Sequence, residues 1–134
     1  MRVATNIARW VVRLTGLAQI VLGLVFWSGH AVALIPLHMA VGGLFTLGLL
    51  VLAGLAIGAR VRPGLGALGV AWVILLPALG MGQMSLLPGA AHWIVRVLHL
   101  VVGLAAMGIA DRLARPLLAS GARGADAVAS QPAA

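Results

Sequence analysis

Three residues whose side chains can do chemistry fall on one predicted helical face: His92, Arg96 and His99. Spacings of four and three residues place side chains on the same side of an α-helix. Every other charged residue belongs to a cluster near the start, the middle or the end of the chain, whereas Arg96 stands alone in an apolar run. A charge within lipid is costly, so an isolated ionisable residue in such a run is a candidate functional residue.

Two of the four histidines begin the same short motif. His38 is followed four residues later by Gly42, and His99 is followed four residues later by Gly103, so each pair lies one helical turn apart. Imidazole ligates haem iron axially, and a glycine one turn along leaves room for a flat porphyrin against the helix. The motif therefore suits a haem site, with Gly42 and Gly103 beside the ring and Arg96 paired to a haem propionate.

Two arguments disagree about the second axial ligand. Counted upward from the cytoplasmic arginine of each span, His38 lies at roughly 33 Å, His92 at roughly 30 Å and His99 at roughly 20 Å, because a helix rises about 1.5 Å per residue. Two ligands of one iron must be nearly level, so depth pairs His38 with His92. The repeated motif instead pairs His38 with His99, and both pairs stay open on the sequence alone.

The composition places the chain in a membrane. Hydrophobic residues make up 63% of it and charged residues 8%, whereas soluble domains carry about 25% charged residues. The net charge of +7 comes from arginines that flank apolar runs, so it predicts contact with anionic lipid headgroups and gives no support to nucleic-acid binding. The absence of cysteine excludes disulfides, thiolate metal sites and iron–sulfur clusters.

The apolar runs divide into four predicted spans, since about 20 residues cross the hydrocarbon core. The spans cover about residues 14–33, 37–58, 65–83 and 90–110. Exposed strands cannot cross lipid unless they close into a barrel, and these runs lack the alternation of barrel strands. The sequence therefore predicts an all-α, polytopic transmembrane four-helix bundle over residues 1–116, followed by a disordered cytoplasmic tail over residues 117–134.

The arginine positions predict the direction of each span. The N-terminus, the Arg60–Arg62 turn and the C-terminal region carry arginine, whereas the connections near Leu34–Pro36 and Met84–Gly89 carry no charge. Positively charged connections stay in the cytoplasm, so we expect a multi-pass inner-membrane protein with both termini cytoplasmic. A rival interpretation takes the N-terminal region as a signal peptide with a small-residue cleavage site at Ala31-Val32-Ala33.

The two halves of the chain are alike around the histidine motif. The segment Leu37–Gly42 of the second span parallels the segment Leu98–Gly103 of the fourth, and a proline-containing connection precedes each span. A parallel duplication of two helical hairpins would place these segments at equivalent positions. The paired His-x-x-x-Gly motifs and the span count resemble those of small four-helix b-type membrane cytochromes. That resemblance implies haem b and an electron-transfer or accessory role.

A second resemblance concerns topology alone. The stretch from Arg13-Leu14-Thr15-Gly16-Leu17 through Leu34-Ile35-Pro36-Leu37-His38-Met39 is similar to small four-span bacterial membrane proteins of unassigned function. It implies four spans and no particular activity.

Other interpretations of the same residues stay open. Met81 and Met84 lie near the predicted extracytoplasmic histidines, and thioethers with imidazoles suit copper, so copper is the alternative cofactor. The histidines and Arg96 can also meet water and headgroups at the membrane interface, and the glycines can allow close helix packing. The protein would then be a non-catalytic membrane subunit or helix-packing partner of a larger complex, or a homo-oligomer.

The sequence carries no catalytic constellation. Glutamate is absent, and neither aspartate has a spacing that suggests a triad with serine and histidine, so hydrolase and transferase chemistry are not predicted. No glycine-rich loop follows a strand, which leaves nucleotide binding without support. We therefore expect a binding or electron-transfer protein rather than an enzyme.

Overall fold

The chain folds into four long antiparallel helices. The computed structural model describes the backbone of residues 1–129 and the side chains of residues 1–119. Its α-helices are α1 (Arg2–Trp27), α2 (Ile35–Gly58), α3 (Pro63–Gly82) and α4 (His92–Ala129). One-turn 3-10 helices, Val32–Leu34 and Gly89–Ala91, precede α2 and α4, and residues 1–129 contain no β-strand.

Each of the four helices is long and apolar enough to cross a membrane. This confirms the predicted all-α fold with four helices of transmembrane character. Each half of the chain is a helical hairpin whose second helix follows a 3-10 turn, which is the arrangement that a duplication of two hairpins requires. The duplication itself stays a prediction.

The first helix and the break after it differ from the predicted bounds. Helix α1 begins at Arg2 and not at Leu14, and it ends at Trp27. The chain turns at Gly29 and Ala31, which have φ values of 81° and 58°, so the break comes before the predicted Leu34–Pro36 connection. A left-handed backbone is easily adopted by glycine and ends a helix there. Charged residues were taken as the edge of the first span, but they lie within α1.

The last helix also extends beyond its predicted end. Helix α4 continues through residues 117–129, where the sequence suggested a disordered tail, and residues 130–134 lie outside the described part of the chain. This segment is rich in alanine, the strongest helix former, which favours continuation of the helix past Pro116.

The hydrophobic core lies in the half of the bundle near the arginine-bearing chain ends, here called the basic end. Its fully buried side chains come mainly from α2 and α4: Leu49, Leu52, Ala53, Ala106, Leu113 and Ala114. Small residues bring the backbones together, since a Cβ on Gly48 would lie 3.3 Å from the carbonyl oxygen of Ala8. The Nε1 of Trp72 donates a hydrogen bond to the carbonyl oxygen of Val102 at 3.1 Å and joins α3 to α4 above this core.

One carboxylate joins the first helix to the last at the basic end. Asp111 on α4 accepts from Arg9 Nε at 3.0 Å and from Arg13 Nη2 at 2.9 Å, with Arg13 Nε 3.2 Å from the same carboxylate. The Arg13 guanidinium also lies 5.6 Å from the centre of the Trp10 ring. Arg9 and Arg13, which precede the predicted first span, therefore lie within α1 and link it to α4.

We predict that Asp111→Asn lowers the free energy of unfolding by about 1 kcal/mol, because it weakens two charge-assisted contacts whose side chains are partly exposed. The measurement is thermal unfolding of the purified protein in detergent micelles. Asp126→Asn is the matched control, since Asp126 is the other acidic residue of the sequence. Equal melting temperatures for both variants would contradict the proposed role of Asp111.

Candidate cofactor cavity

The helices separate above the core and enclose a cavity of about 720 Å³. Side chains from all four helices line it, and several of them are exposed, among them Leu24, Met39, Met81 and Leu104. The cavity is therefore open to the outside of the bundle and not sealed. All six residues that the sequence predicted for a cofactor site line this one cavity: His38, Gly42, His92, Arg96, His99 and Gly103.

The floor of the cavity is formed where the core begins. A Cβ on Gly16 would lie 2.8 Å from Met107 Sδ and 2.9 Å from a ring carbon of Phe45, so these two side chains occupy the space over that glycine. Phe45 and Leu76 are buried and line the cavity from below. The floor is thus apolar, and the polar groups lie on the walls and at the rim.

His38 and His99 face each other across the cavity. Their ring centroids are 6.5 Å apart and their planes are inclined by 47°. His38 stands on α2 in the first hairpin and His99 on α4 in the second. An edge contact with Phe26, with centroids 5.3 Å apart, supports the His38 ring. His99 packs over Gly80, where an added Cβ would lie 3.2 Å from Cε1 of its ring.

The two imidazoles present different nitrogens to the protein and to the cavity. Nδ1 of His38 and Nδ1 of His99 are buried and have no hydrogen-bond partner among the described residues. The Nε2 atom of each ring keeps some accessible surface, and the described residues make no hydrogen bond to it. Nε2 of each ring is therefore the nitrogen that is free to meet a ligand.

The disagreement between depth and motif has a structural cause. Counting each span from its own arginine assumed that all these arginines lie in one plane. Asp111, next to Arg112, pairs with Arg9 and Arg13, whereas Gly48 already lies against Ala8. Arg60 is twelve residues beyond Gly48, so it lies roughly 18 Å below that level. This offset is of the same order as the roughly 13 Å gap expected from the residue counts, and the His38 and His99 rings do lie opposite each other, with centroids 6.5 Å apart.

The other two histidines lie nearer the loops. His92 lines the rim, where its Nδ1 is 3.4 Å from the carbonyl oxygen of Leu86, a long and weak contact. His30 is paired with the hydroxyl of Ser28 at 3.1 Å and does not line the cavity. The structure therefore brings together His38 and His99 and leaves His92 at the entrance.

Arg96 lies between the rim and the facing histidines on the wall formed by α4. It lines the cavity and is exposed, and no ion pair or hydrogen bond links it to the described residues. The predicted Met81 and Met84 also line the cavity near its rim and are highly exposed, at 72% and 77%. The rim thus combines a cation, an imidazole and two thioethers.

Gln19 is the site residue whose role the sequence did not reveal. Its Nε2 donates a hydrogen bond to the carbonyl oxygen of His38 at 2.8 Å, and its Oε1 is buried without a partner among the described residues. The one available signal was a lone amide in the apolar middle of the first span.

The two motif glycines serve different purposes. The amide of Gln19 fills the space in which a Gly42 side chain would lie, so Gly42 accommodates Gln19. Nothing lies within 4 Å of the corresponding position at Gly103, which remains open toward the cavity. The repeated motif therefore has one filled and one open glycine.

Comparison with family models, curated proteins and solved structures finds no match to this chain. Inference about its function therefore starts from the cavity. Among the described residues no group of three or more histidines, cysteines or acidic residues lies together as metal ligands do. A metal that brings its own macrocyclic ligand needs fewer protein ligands, and two facing imidazoles suit that case.

We predict opposite stability effects for the same substitution at the two motif glycines. Gly103→Ala should stabilise α4 by up to about 1 kcal/mol, because alanine favours a helix and the site is open. Gly42→Ala gains the same propensity but displaces Gln19 from His38, which costs about 1 kcal/mol for the lost hydrogen bond. In thermal unfolding, the melting temperature of the Gly103→Ala variant should therefore lie well above that of the Gly42→Ala variant. The reverse order would refute the packing described for Gln19.

Proposed function

We propose that this chain is an integral membrane protein that binds haem b in an electron-transfer or accessory role. His38 and His99 would hold the haem iron through their Nε2 atoms, and Arg96 would pair with a haem propionate. The proposal rests chiefly on the facing imidazoles across a large cavity, one from each hairpin.

The separation of the two rings supports a shared iron. A bond from metal to imidazole nitrogen is about 2 Å long and that nitrogen lies about 1 Å from the ring centre, so two trans ligands place their ring centres about 6 Å apart. The separation of 6.5 Å between His38 and His99 is close to this value. The inclination of 47° is compatible with it, because each ring can rotate about its own metal bond.

The size and lining of the cavity also favour a large, flat and mostly apolar ligand. Its volume of about 720 Å³ falls within the range of about 300–1,000 Å³ for cofactor sites. Gly103 leaves the α4 wall open beside His99, and the openings between helices leave room for the edge of a planar group. Bound haem would supply one-electron redox chemistry, while the histidines hold it and the apolar floor excludes water.

Arg96 supports the orientation of such a ligand. A guanidinium beside lipid without a protein counterion attracts an anionic group, and a carboxylate is matched by its planar array of donors. The propionates of haem would therefore point from the histidine pair toward the rim, where Arg96 stands.

The arginine distribution supports placement in the inner membrane with both termini in the cytoplasm. Connections that carry arginine remain cytoplasmic, and Arg60, Arg62, Arg112 and Arg115 all lie toward the basic end of the bundle. The haem would then lie in the half of the bilayer away from the cytoplasm.

We predict that the protein, purified from membranes supplied with haem, shows a Soret band and the spectrum of six-coordinate, low-spin haem. His38→Ala and His99→Ala should each abolish that low-spin spectrum, because each removes one axial ligand. His30→Ala is the control, since His30 does not line the cavity. A protein without a Soret band under these conditions refutes haem binding, whereas an unchanged spectrum in both alanine variants refutes the ligands alone.

Copper is the second candidate, because Met81 and Met84 line the same cavity as the histidines and combine soft and imidazole ligands. Metal analysis of the same preparation separates the two. Bound copper without a Soret band, lost in a Met81→Leu/Met84→Leu double variant, would favour copper over haem.

We predict that Arg96→Gln weakens haem binding about tenfold or more, since a charge-assisted hydrogen bond contributes about 1.5–3 kcal/mol. Arg96→Lys should retain part of the affinity, because it keeps the charge and loses the planar donor pair. Haem titration of the apoprotein in nanodiscs measures the effect. Arg60→Gln, at the opposite end of the bundle, is the matched control, and equal losses in both variants would refute a specific contact.

A further inference from the structure

We propose that Gln19 is a positioning residue for His38. Gln19 Oε1 and His38 Nδ1 are not bonded in the structure; a small rotation of the His38 ring would let the side-chain oxygen of Gln19 accept the proton on Nδ1, which leaves Nε2 of that ring unprotonated toward the cavity. The consequence at the haem rests on the proposed function, but the hydrogen bond involves only atoms of this chain.

The first support is a set of buried polar atoms that lack partners. Within the described residues these are Gln19 Oε1, His38 Nδ1 and His99 Nδ1, and all three belong to residues that line the cavity. Buried polar atoms are nearly always hydrogen-bonded, since leaving one unpaired costs about 1–3 kcal/mol. An amide oxygen can only accept, and an imidazole nitrogen can donate, so Gln19 and His38 are complementary.

The second support is where the Gln19 amide already lies. Its Nε2 is 2.8 Å from the carbonyl oxygen of His38, and Oε1 is bonded to the same carbon as Nε2. Oε1 is therefore held beside the helical turn that carries the His38 ring. Exchanging the two amide atoms would set oxygen against oxygen, so the hydrogen bond fixes which atom is the acceptor.

The direction of the His38 proton follows from the two nitrogens of a neutral imidazole. One carries the proton and the other offers a lone pair. A proton held on Nδ1 by Gln19 leaves the lone pair on Nε2, the nitrogen that is free to meet a ligand. Histidines that bind metals commonly have such a partner on the second nitrogen, which fixes the ring and raises its basicity.

Gly42 makes this arrangement possible on one hairpin only. The amide of Gln19 occupies the space over Gly42, whereas the space over Gly103 is empty. His99 instead rests on Gly80 and has no amide from a neighbouring helix. The two facing imidazoles are therefore unequal, and His38 is the one whose proton is directed by a second residue.

The test measures which ring nitrogen of His38 carries the proton in the apoprotein. The ¹⁵N chemical shifts of labelled histidine, recorded on the full chain in nanodiscs at a pH where the ring is neutral, report this directly. We expect the proton on Nδ1 in the wild type. In Gln19→Met we expect it to move toward Nε2, with Gln83→Met as the control because Gln83 also lines the cavity but makes no bond to His38.

A second variant keeps the inference testable if Gln19→Met does not fold. Gly42→Ala displaces the Gln19 amide without removing it and should shift the His38 proton in the same direction. A wild-type His38 that carries its proton on Nε2, or an Nδ1 proton that survives both Gln19→Met and Gly42→Ala, would overturn the proposal.

The haem-loaded protein provides an independent measurement. Loss of the Gln19 acceptor makes His38 a weaker donor to the iron, so Gln19→Met should shift the reduction potential to more positive values, while Gln83→Met should not. A protein that never binds haem but shows the Gln19-dependent tautomer refutes the proposed function and keeps this inference. A protein that binds haem, but whose reduction potential and His38 tautomer are unchanged in Gln19→Met, supports the proposed function and overturns this inference.

Discussion

The register of α4 against α1 is set by a carboxylate that two arginines share. Asp111 brings α4 to the level of Arg9 and Arg13 on α1, which closes the ring of helices at the basic end. In a bilayer this contact supplies what hydrophobic burial cannot, because lipid tails are as apolar as the side chains that face them. It also sets the vertical position of α4, and that position decides which residues of α2 and α4 lie opposite each other.

The bundle is packed unevenly along its length for a related reason. Near the basic end, Gly48 and the alanines of α2 and α4 allow close approach, and large side chains such as Leu49 and Leu113 are completely buried. Toward the other end, the loop within each hairpin holds its own pair of helices together but does not join the two hairpins. The cavity is the consequence, and its histidines come from opposite hairpins.

The polar chemistry of the molecule is concentrated in that cavity. Gln19, His38 and His99 each bury a polar atom with no partner among the described residues, and Arg96 has no counterion there. In an apolar setting each unpartnered polar group lowers the stability of the fold. Several such groups in one cavity therefore indicate a binding site more strongly than any single group does.

The amino-acid sequence by itself determined the class of fold, because long apolar runs in lipid leave helices as the available structure. It also singled out six of the residues that line the cavity, since an arginine and histidines in apolar runs are unusual enough to stand out. It could not show that Gly42 makes room for the Gln19 amide, because that contact joins residues of different helices. It could not show that Arg9 and Arg13 pair with Asp111, because that contact is not visible in local composition.

Tertiary structure alone decided which histidines face each other. Residue counts give the depth of a histidine along its own helix. They do not give the vertical offset between two helices. The pairing of Asp111 with α1 and the contact of Gly48 with Ala8 fix that offset. His38 therefore lies 6.5 Å from His99, and His92 stays at the rim, because interhelical contacts and not residue counts set the register of the bundle.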